Sequence, residues 1–340
     1  MLNRRYLLAA APTLLAGLSV ASPALAQAPQ KPPRMTTPEE AESFARYIAG
    51  VKDEARRKGI SAAVLDRAFA GVHINWRVIE LDRSQPEVHF TWEQYRTRIV
   101  NDTRVQRGRE QLAKHRDVLR RVQDRFGVPP EIIVGLWGLE SDYGRQMGNF
   151  NVIEAVATLA WEGRRGAFFR QELMDSLKIV QAGDIAPEKM VGSWAGAMGQ
   201  TQFMPDSFLR YAVDFDGDGR RDMWDSFPDV FASTANNLAV EGWKAAQPWG
   251  QQVRLPAAFD PALAGRDKRH PAAEWARWGI VSVDGRALAP SDGVASIVLP
   301  GGVQSDAFLV FSSNFRALRA YNPSDYYALS IGLLADRIAD

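Results

Sequence analysis

The chain has 340 residues, 46% of them hydrophobic, and a formal net charge of +1. That length can bury a large core, in more than one lobe. A near-zero charge argues against a general nucleic-acid binder, and the absence of cysteine excludes disulfides, a thiol nucleophile, a Cys-ligated metal and a lipoprotein anchor.

The start reads as a targeting segment. Arg4 and Arg5 precede a short apolar run, Tyr6 to Ala21, and a small-x-small site at Ala24 to Ala26. The run is short for a spanning helix and contains Pro12. Arg4 to Leu8 ("RRYLL") also resembles a twin-arginine export signal, so the Sec and twin-arginine routes both stay open. The expectation is a signal peptide over 1–26 and a soluble mature protein in a bacterial periplasm.

A Pro-rich linker follows over 27–36. Thr37, Pro38 and Glu40 then form a capping box that starts a helix. Apolar residues at helical spacing predict helices up to Phe126: Phe44, Tyr47, Ile48 and Val51, then Val64, Leu65, Ala68 and Phe69. Arg116 to Arg125 mixes bases with acids and reads as a solvated helix face. "GVPP" (Gly127 to Pro130) breaks the chain and starts the next helix.

On that helix Ile133, Leu136, Trp137 and Glu140 share one face. A carboxylate beside apolar and aromatic groups is desolvated and holds its proton more tightly, the state a general acid needs. The structural alternative is an ion pair with Arg145 at the helix end. Asp142, two residues on, faces elsewhere. Glu154, Glu162 and Glu172 have no position that the sequence can assign.

"GSWAGAMGQTQFMP" (Gly192 to Pro205) mixes glycines with neutral polar groups (Ser193, Gln200, Thr201, Gln202) and with Trp194, Phe203 and Met204. Such a mixture suits a sugar, which has hydroxyl edges and apolar faces; a packed turn of small residues is the competing reading. No Gly-Lys-Ser/Thr follows, which argues against a phosphate loop. "DFDGDGRRDMWD" (Asp214 to Asp225) places acids at calcium-loop positions one, three, five, nine and twelve: Asp214, Asp216, Asp218, Asp222 and Asp225. Gly219 holds the turn, and Arg220 would offer its carbonyl. Asp225 is one methylene shorter than the usual glutamate. A structural Ca2+ is expected, and no organic cofactor.

From Gln251 to Gly302 the chain is rich in Pro and Gly, with short β-like runs in "QQVRL", "WGIVSV" before a "DG" turn, and "ASIVL". A last helix is predicted over Asp325 to Ile338. The four histidines, His73, His89, His115 and His270, show no ligand spacing, which argues against a zinc amidase.

From Met35 onward the chain resembles lytic murein transglycosylases of the membrane-bound lytic transglycosylase B type. The resemblance rests on "GLESDYGRQMG" (Gly138 to Gly148), "VIEAVATLA" (Val152 to Ala160), the glycine-rich stretch, "YAVDFDGDG" (Tyr211 to Gly219) and "YNPSDYYAL" (Tyr321 to Leu329), in that order. It implies a mainly α (α+β) fold: a lysozyme-like helical core carrying an EF-hand-like loop, an N-terminal helical lobe and a small β lobe. The implied segments are a helical lobe over 37–126, the core over 127–250, the β lobe over 251–305 and a segment completing the core over 306–340.

The resemblance further implies cleavage of peptidoglycan strands between N-acetylmuramic acid and N-acetylglucosamine without water, leaving a 1,6-anhydro end. Glu140 takes the place of the family's catalytic acid and base. Ser193, Gln202, Asn322 and Tyr327 take the places of substrate-binding residues. Tyr143 stands where the best-known member has tryptophan, and either ring can support a sugar face. Asn237 replaces a tyrosine that members carry after an Ala-Asn pair. No nucleic-acid partner and no lipid anchor are expected. The rival readings are a hydrolytic muramidase of the same fold and a non-catalytic, calcium-braced peptidoglycan-binding protein.

Overall fold

A computed structural model describes residues 34–84, 90–245, 247–283, 288 and 293–340. The expected signal peptide, residues 27–33 of the linker and the "DG" turn at Asp284 lie outside the described residues. The helices and strands run, in chain order, α1 (Pro38–Arg57), α2 (Ala62–Ala68), α3 (Trp76–Arg83), α4 (Trp92–Ile99), α5 (Asp102–Lys114), α6 (Arg116–Phe126), α7 (Pro130–Ser141), β1 (Phe150–Asn151), α8 (Val152–Glu162), α9 (Gly166–Ala182), β2 (Val191–Gly192), α10 (Pro205–Tyr211), α11 (Phe227–Val240), β3 (Gly250–Arg254), β4 (His270–Pro271), α12 (Ala272–Arg277), β5 (Val281–Ser282), β6 (Val294–Val298), β7 (Ala307–Phe311), α13 (Ser312–Tyr321) and α14 (Asp325–Ala339). The fold is therefore mainly helical with a small sheet. No described helix is long and apolar enough to cross a membrane.

The chain divides into two units, and the boundaries fall inside α7 and α11. One unit takes in residues 34–84 and Glu140–Ser233. Its first helix starts as expected: Thr37 accepts the Glu40 N–H at 3.3 Å, and Glu40 accepts the Thr37 N–H at 3.0 Å. Its centre is the pair α8 and α9. Val152 to Ala160 are buried without a break apart from Glu154, so α8 is enclosed on nearly every side. Asp82, almost fully buried on α3, ties that helix to the α8–α9 turn. It accepts from Arg164 Nε at 2.8 Å and from an Arg165 guanidinium nitrogen at 2.6 Å.

Glu172, on α9, is buried as well. Its carboxylate accepts the Asp206 N–H at 3.1 Å, at the start of α10, where the N-cap Met204 has no side chain able to do so. Burial, reinforced by the charge of Asp206, pushes its carboxyl up to about 8. A carboxyl raised by folding keeps a proton that the unfolded chain releases. Stability therefore falls as pH rises from the unfolded value toward the folded one. Glu172→Gln should raise the melting temperature most at pH 8.5 and leave it nearly unchanged at pH 4. An equal effect at both pH values would remove Glu172 as the source.

The other unit takes in residues 90–139 and Thr234–Asp340. Its antiparallel sheet has the order β4-β6-β7-β3-β5. Trp275, Ile297, Leu309 and Phe311 form the core beneath it. The central strand β7, "AFLVF", lies beyond the stretch read as β-like from sequence. It is buried at all five positions, and a short continuous apolar run carries no alternation to mark it as a strand. The stretch "WGIVSV" contributes only the two residues of β5. Asp306 joins the sheet to α4, accepting from Trp92 Nε1 at 2.6 Å, Arg96 at 2.6 Å and Gln252 at 2.8 Å. The final helix α14 packs on α4, α5 and α13.

Candidate active site

Helix α7 buries Ile133, Leu136 and Trp137, as the spacing predicts, but it also buries Ile132 and Val134. It is enclosed almost all round until Leu139 and Glu140, which are half-buried. The helix ends at Ser141. Asp142 and Tyr143 then take left-handed conformations, with φ of 50° and 61°. A tyrosine there is strained by about 1–3 kcal/mol and persists only where its surroundings hold it. Tyr143 is 8% exposed. Arg145 lies 3.7 Å from Asp142.

The surroundings that hold this turn are the glycine-rich loop. Four contacts stitch them together. Ser141 Oγ donates to the Gln200 carbonyl at 2.6 Å and accepts the Gly144 N–H at 2.9 Å. Gln202 Nε2 donates to the Met147 carbonyl at 3.1 Å and to that of Gly199 at 2.8 Å. Phe150 pairs with Gly192 across β1 and β2, and Gly148 lies against the Gly192 carbonyl so closely that a Cβ would stand 2.1 Å from the oxygen. Sequence reasoning missed Ser141. The signal available was a serine directly after the candidate acid, which local spacing alone does not separate from a helix-end cap.

Within the loop, Ser193 is nearly buried. Its Oγ accepts the Ala197 N–H at 3.1 Å, which leaves the hydroxyl proton free to be donated elsewhere. Gln202 has φ of 52°, and its Oε1 is buried with no hydrogen-bond partner among the described residues. Backbone strain together with an unsatisfied buried acceptor makes Gln202 a candidate ligand-binding group.

Three further carboxylates of this unit are committed to structure. Glu154 accepts from Asn75 at 2.8 Å and pairs with His73 at 3.0 Å; Glu162 pairs with Arg83 at 2.7 Å; Glu172 caps α10. In the other unit Asn322 closes α13 and accepts the Ser324 N–H at 3.2 Å. Tyr327 is buried and stacks on Tyr321 with ring centres 6.4 Å apart. Asn237, on α11, is buried with an unpartnered Oδ1 among the described residues.

The transglycosylase SLT domain family matches residues 43–336. The chain belongs to that family. This transglycosylase is 32% identical over 255 residues to membrane-bound lytic murein transglycosylase B of Escherichia coli (strain K12), covering 73% of this chain and 67% of that protein. It superimposes with a TM-score of 0.85 on SltB3 of Pseudomonas aeruginosa in complex with NAG-anhNAM-pentapeptide, at 48% identity, covering 88% of this chain and 80% of that one. Lytic transglycosylase Slt35 of Escherichia coli in complex with calcium matches at a TM-score of 0.70 and 30% identity, over 88% of this chain and 93% of that one. The enzyme is a lytic transglycosylase of peptidoglycan, of the B type.

The transglycosylase's acidic loop gathers Asp214 and Asp216 with Asp229, their carboxylate oxygens all within 4.8 Å of one another. Asp229 was not expected, because the twelve-residue template stops at Asp225. It stands in the first turn of α11, in "SFPD", the spacing of a helix-starting box that the sequence displays. Fully buried, it accepts the N–H groups of Phe215 at 2.7 Å and Asp222 at 2.8 Å. Burial raises its carboxyl above the usual aspartate range. Asp218 and Arg220 instead pair with each other at 2.8 Å. Asp222 accepts the N–H groups of Trp224 and Asp225, and Asp225 is exposed.

Three converging carboxylates with oxygen-only donors fit a hard divalent cation. Their mutual repulsion is what such an ion would offset. The loop's exit is tied to the glycine-rich loop: Gln200 donates its N–H to the Met223 carbonyl and its Nε2 to the Trp224 carbonyl, both at 2.8 Å.

Proposed function

We propose that this enzyme cleaves the bond between N-acetylmuramic acid and N-acetylglucosamine in periplasmic peptidoglycan without water, leaving a 1,6-anhydro end. The observation that carries the reading is the fastening of the Glu140 helix end to the loop of Ser193 and Gln202. Glu140, protonated, gives its proton to the glycosidic oxygen. The resulting carboxylate then takes the proton of the muramic acid O6 hydroxyl, which attacks its own C1. Attack from within one sugar benefits from a high effective concentration.

Ser193, with its hydroxyl proton free, orients the substrate's N-acetyl carbonyl. Gln202 Oε1 accepts from a sugar hydroxyl. In the same unit Tyr143 would support a sugar face; Asn322 and Tyr327 are proposed glycan contacts of the other unit. A hydrolase would need a second, positioned carboxylate or an admitted water; the structural duties of Glu154, Glu162 and Glu172 argue against the first of these. The anhydro sugar in the Pseudomonas relative's ligand supports the same product. Mass analysis of muropeptides released by the purified enzyme tests the reading. Anhydro ends are expected, and reducing ends would replace it with the muramidase.

Asp214, Asp216 and Asp229 would hold calcium, with Asp218, Arg220, Asp222 and Asp225 shaping the loop around them. The ion would neutralise the acidic cluster and stiffen the segment on which Gln200 rests. Calcium at a hundredfold excess over its dissociation constant should stabilise the fold by about 2.7 kcal/mol, which corresponds to a melting shift of about 4 °C. Asp214→Asn with Asp216→Asn keeps hydrogen-bond acceptors and removes charge, and should abolish the shift. A wild-type curve indifferent to both calcium and chelator would exclude the site.

A further inference from the structure

Within the unit of residues 90–139 and 234–340, four arginines line one cleft: Arg266 and Arg269 from the loop before β4, and Arg316 and Arg319 from α13. The latter two are three residues apart and share a helix face, where like charges repel. Among the described residues, Asp325 is the carboxylate that pairs with them directly. It pairs with Arg319 Nε and lies 3.3 Å from Arg266 Nε. Arg269 donates to the Arg266 carbonyl at 3.3 Å and Arg316 to the Glu241 carbonyl at 2.6 Å. Neither makes an ion pair among the described residues. The cleft adjoins a larger one of about 670 Å³ that adds Asp267, so four cations still face two carboxylates.

Two further observations point to an anion. The Ser312 hydroxyl, on the wall of the same cleft, is buried with no hydrogen-bond partner among the described residues. Arg319 is largely buried; burial draws its guanidinium below the ordinary range, Asp325 opposing and Arg266 adding to the effect. Exposed arginines normally need no partner, because water solvates them. Arg266, Arg269 and Arg316 are exposed, but they converge on the partly desolvated Arg319 and the spare Ser312 hydroxyl, a donor set that grips a carboxylate.

The cleft is fastened to the turn proposed to contact the glycan. Arg319 donates to the Pro323 carbonyl, one residue after Asn322, and Asp325 opens the helix that carries Tyr327. A peptide attached to a muramic acid beside Asn322 extends about 3.5 Å per residue, so a stem of five residues reaches roughly 17 Å. We propose that the cleft of Arg266, Arg269, Arg316, Arg319 and Ser312 is a subsite for a carboxylate of the peptide stem on the glycan. The inference rests on the reading of the enzyme as acting on peptidoglycan.

The test measures binding, with Glu140→Gln present throughout to prevent turnover. Three probes are titrated into the full chain: a GlcNAc–MurNAc disaccharide without peptide, the same disaccharide with its pentapeptide, and the pentapeptide form with its carboxylates amidated. The free-acid form should bind about tenfold more tightly than the amidated one, and salt should shrink the difference. Arg269→Ala with Arg316→Ala should erase the difference, whereas lysine at both positions should keep part of it. If the double alanine variant does not fold, Arg269→Ala alone, at an exposed residue bonded only to a carbonyl, should halve the difference or more.

Equal affinity for the free-acid and amidated forms in the unsubstituted cleft would overturn the proposal. So would a difference that survives the alanine substitutions. The competing source of an anion is a lipid headgroup. Phosphatidylglycerol vesicles that bind the wild-type cleft and lose binding in the alanine variant, while the disaccharide affinities stay unchanged, would also overturn it. Failure of the peptidoglycan reading looks different: neither disaccharide would bind and wild-type enzyme would release no muropeptides.

Discussion

Glu140→Gln is expected to fold normally and to lose glycan cleavage. The side chains have nearly the same shape, and the helix that carries the position is held by Ile133, Leu136 and Trp137, all buried. The melting temperature should therefore stay within a few degrees. The loss in turnover is expected to be on the order of 10²–10⁴ or more, the range of general acid–base catalysis, since in the proposed mechanism one group serves both proton transfers. A glutamine can neither give a proton to the leaving oxygen nor take one from O6. Turnover near the wild-type rate on purified peptidoglycan sacculi would remove Glu140 from the mechanism. A partial loss accompanied by reducing ends would favour water as the nucleophile.

Gly148→Ala is expected to damage the active site without touching any group of the proposed chemistry. Gly148 has φ of 89°, and an added Cβ would lie 2.1 Å from the Gly192 oxygen, 2.3 Å from its carbonyl carbon and 2.7 Å from the Ser193 nitrogen. All three are backbone atoms, so no side chain can swing aside. Gly192 cannot retreat easily either, since its own Cβ direction points at the Ala197 oxygen, 2.3 Å from where that atom would be. The loop bearing Ser193 must move as a whole.

The expected cost is on the order of 2–4 kcal/mol in stability, combining left-handed strain with overpacking. A displacement of about 1 Å at Ser193 should cost about 10²-fold in kcat/KM. Gly71→Ala separates the two causes. Its φ of 73° imposes comparable backbone strain, but no atom lies within 4 Å of the added Cβ. That variant should lose about 1 kcal/mol and keep its activity. Equal effects of the two substitutions on activity would show that close approach at Gly148 is not what positions the loop.

Much of this protein could be read without coordinates wherever the deciding interaction is local. The Thr37–Glu40 box, the Pro130 helix start, the buried face of Ile133, Leu136 and Trp137, and the helix from Asp325 all rest on partners three or four residues apart. Asp214 and Asp216 were legible for the same reason, because a turn brings alternate residues together. The ordered motifs also carried the family.

What stayed hidden depends on groups far apart in the chain. Asp229 joins the acidic cluster because α11 folds back on the loop, which no twelve-residue template contains. Ser141 matters through Gln200, 59 residues away, and Gln202 is strained because Met147 and Gly199 both hold its amide. Strand β7 shows no period-two pattern because both its faces are covered. The arginine cleft draws two residues from a loop and two from a helix some fifty positions later. In each case sequence determines which groups are available, through composition and short-range spacing. Only tertiary packing decides which of them meet, because burial, desolvation and backbone strain are properties of the neighbours that folding supplies.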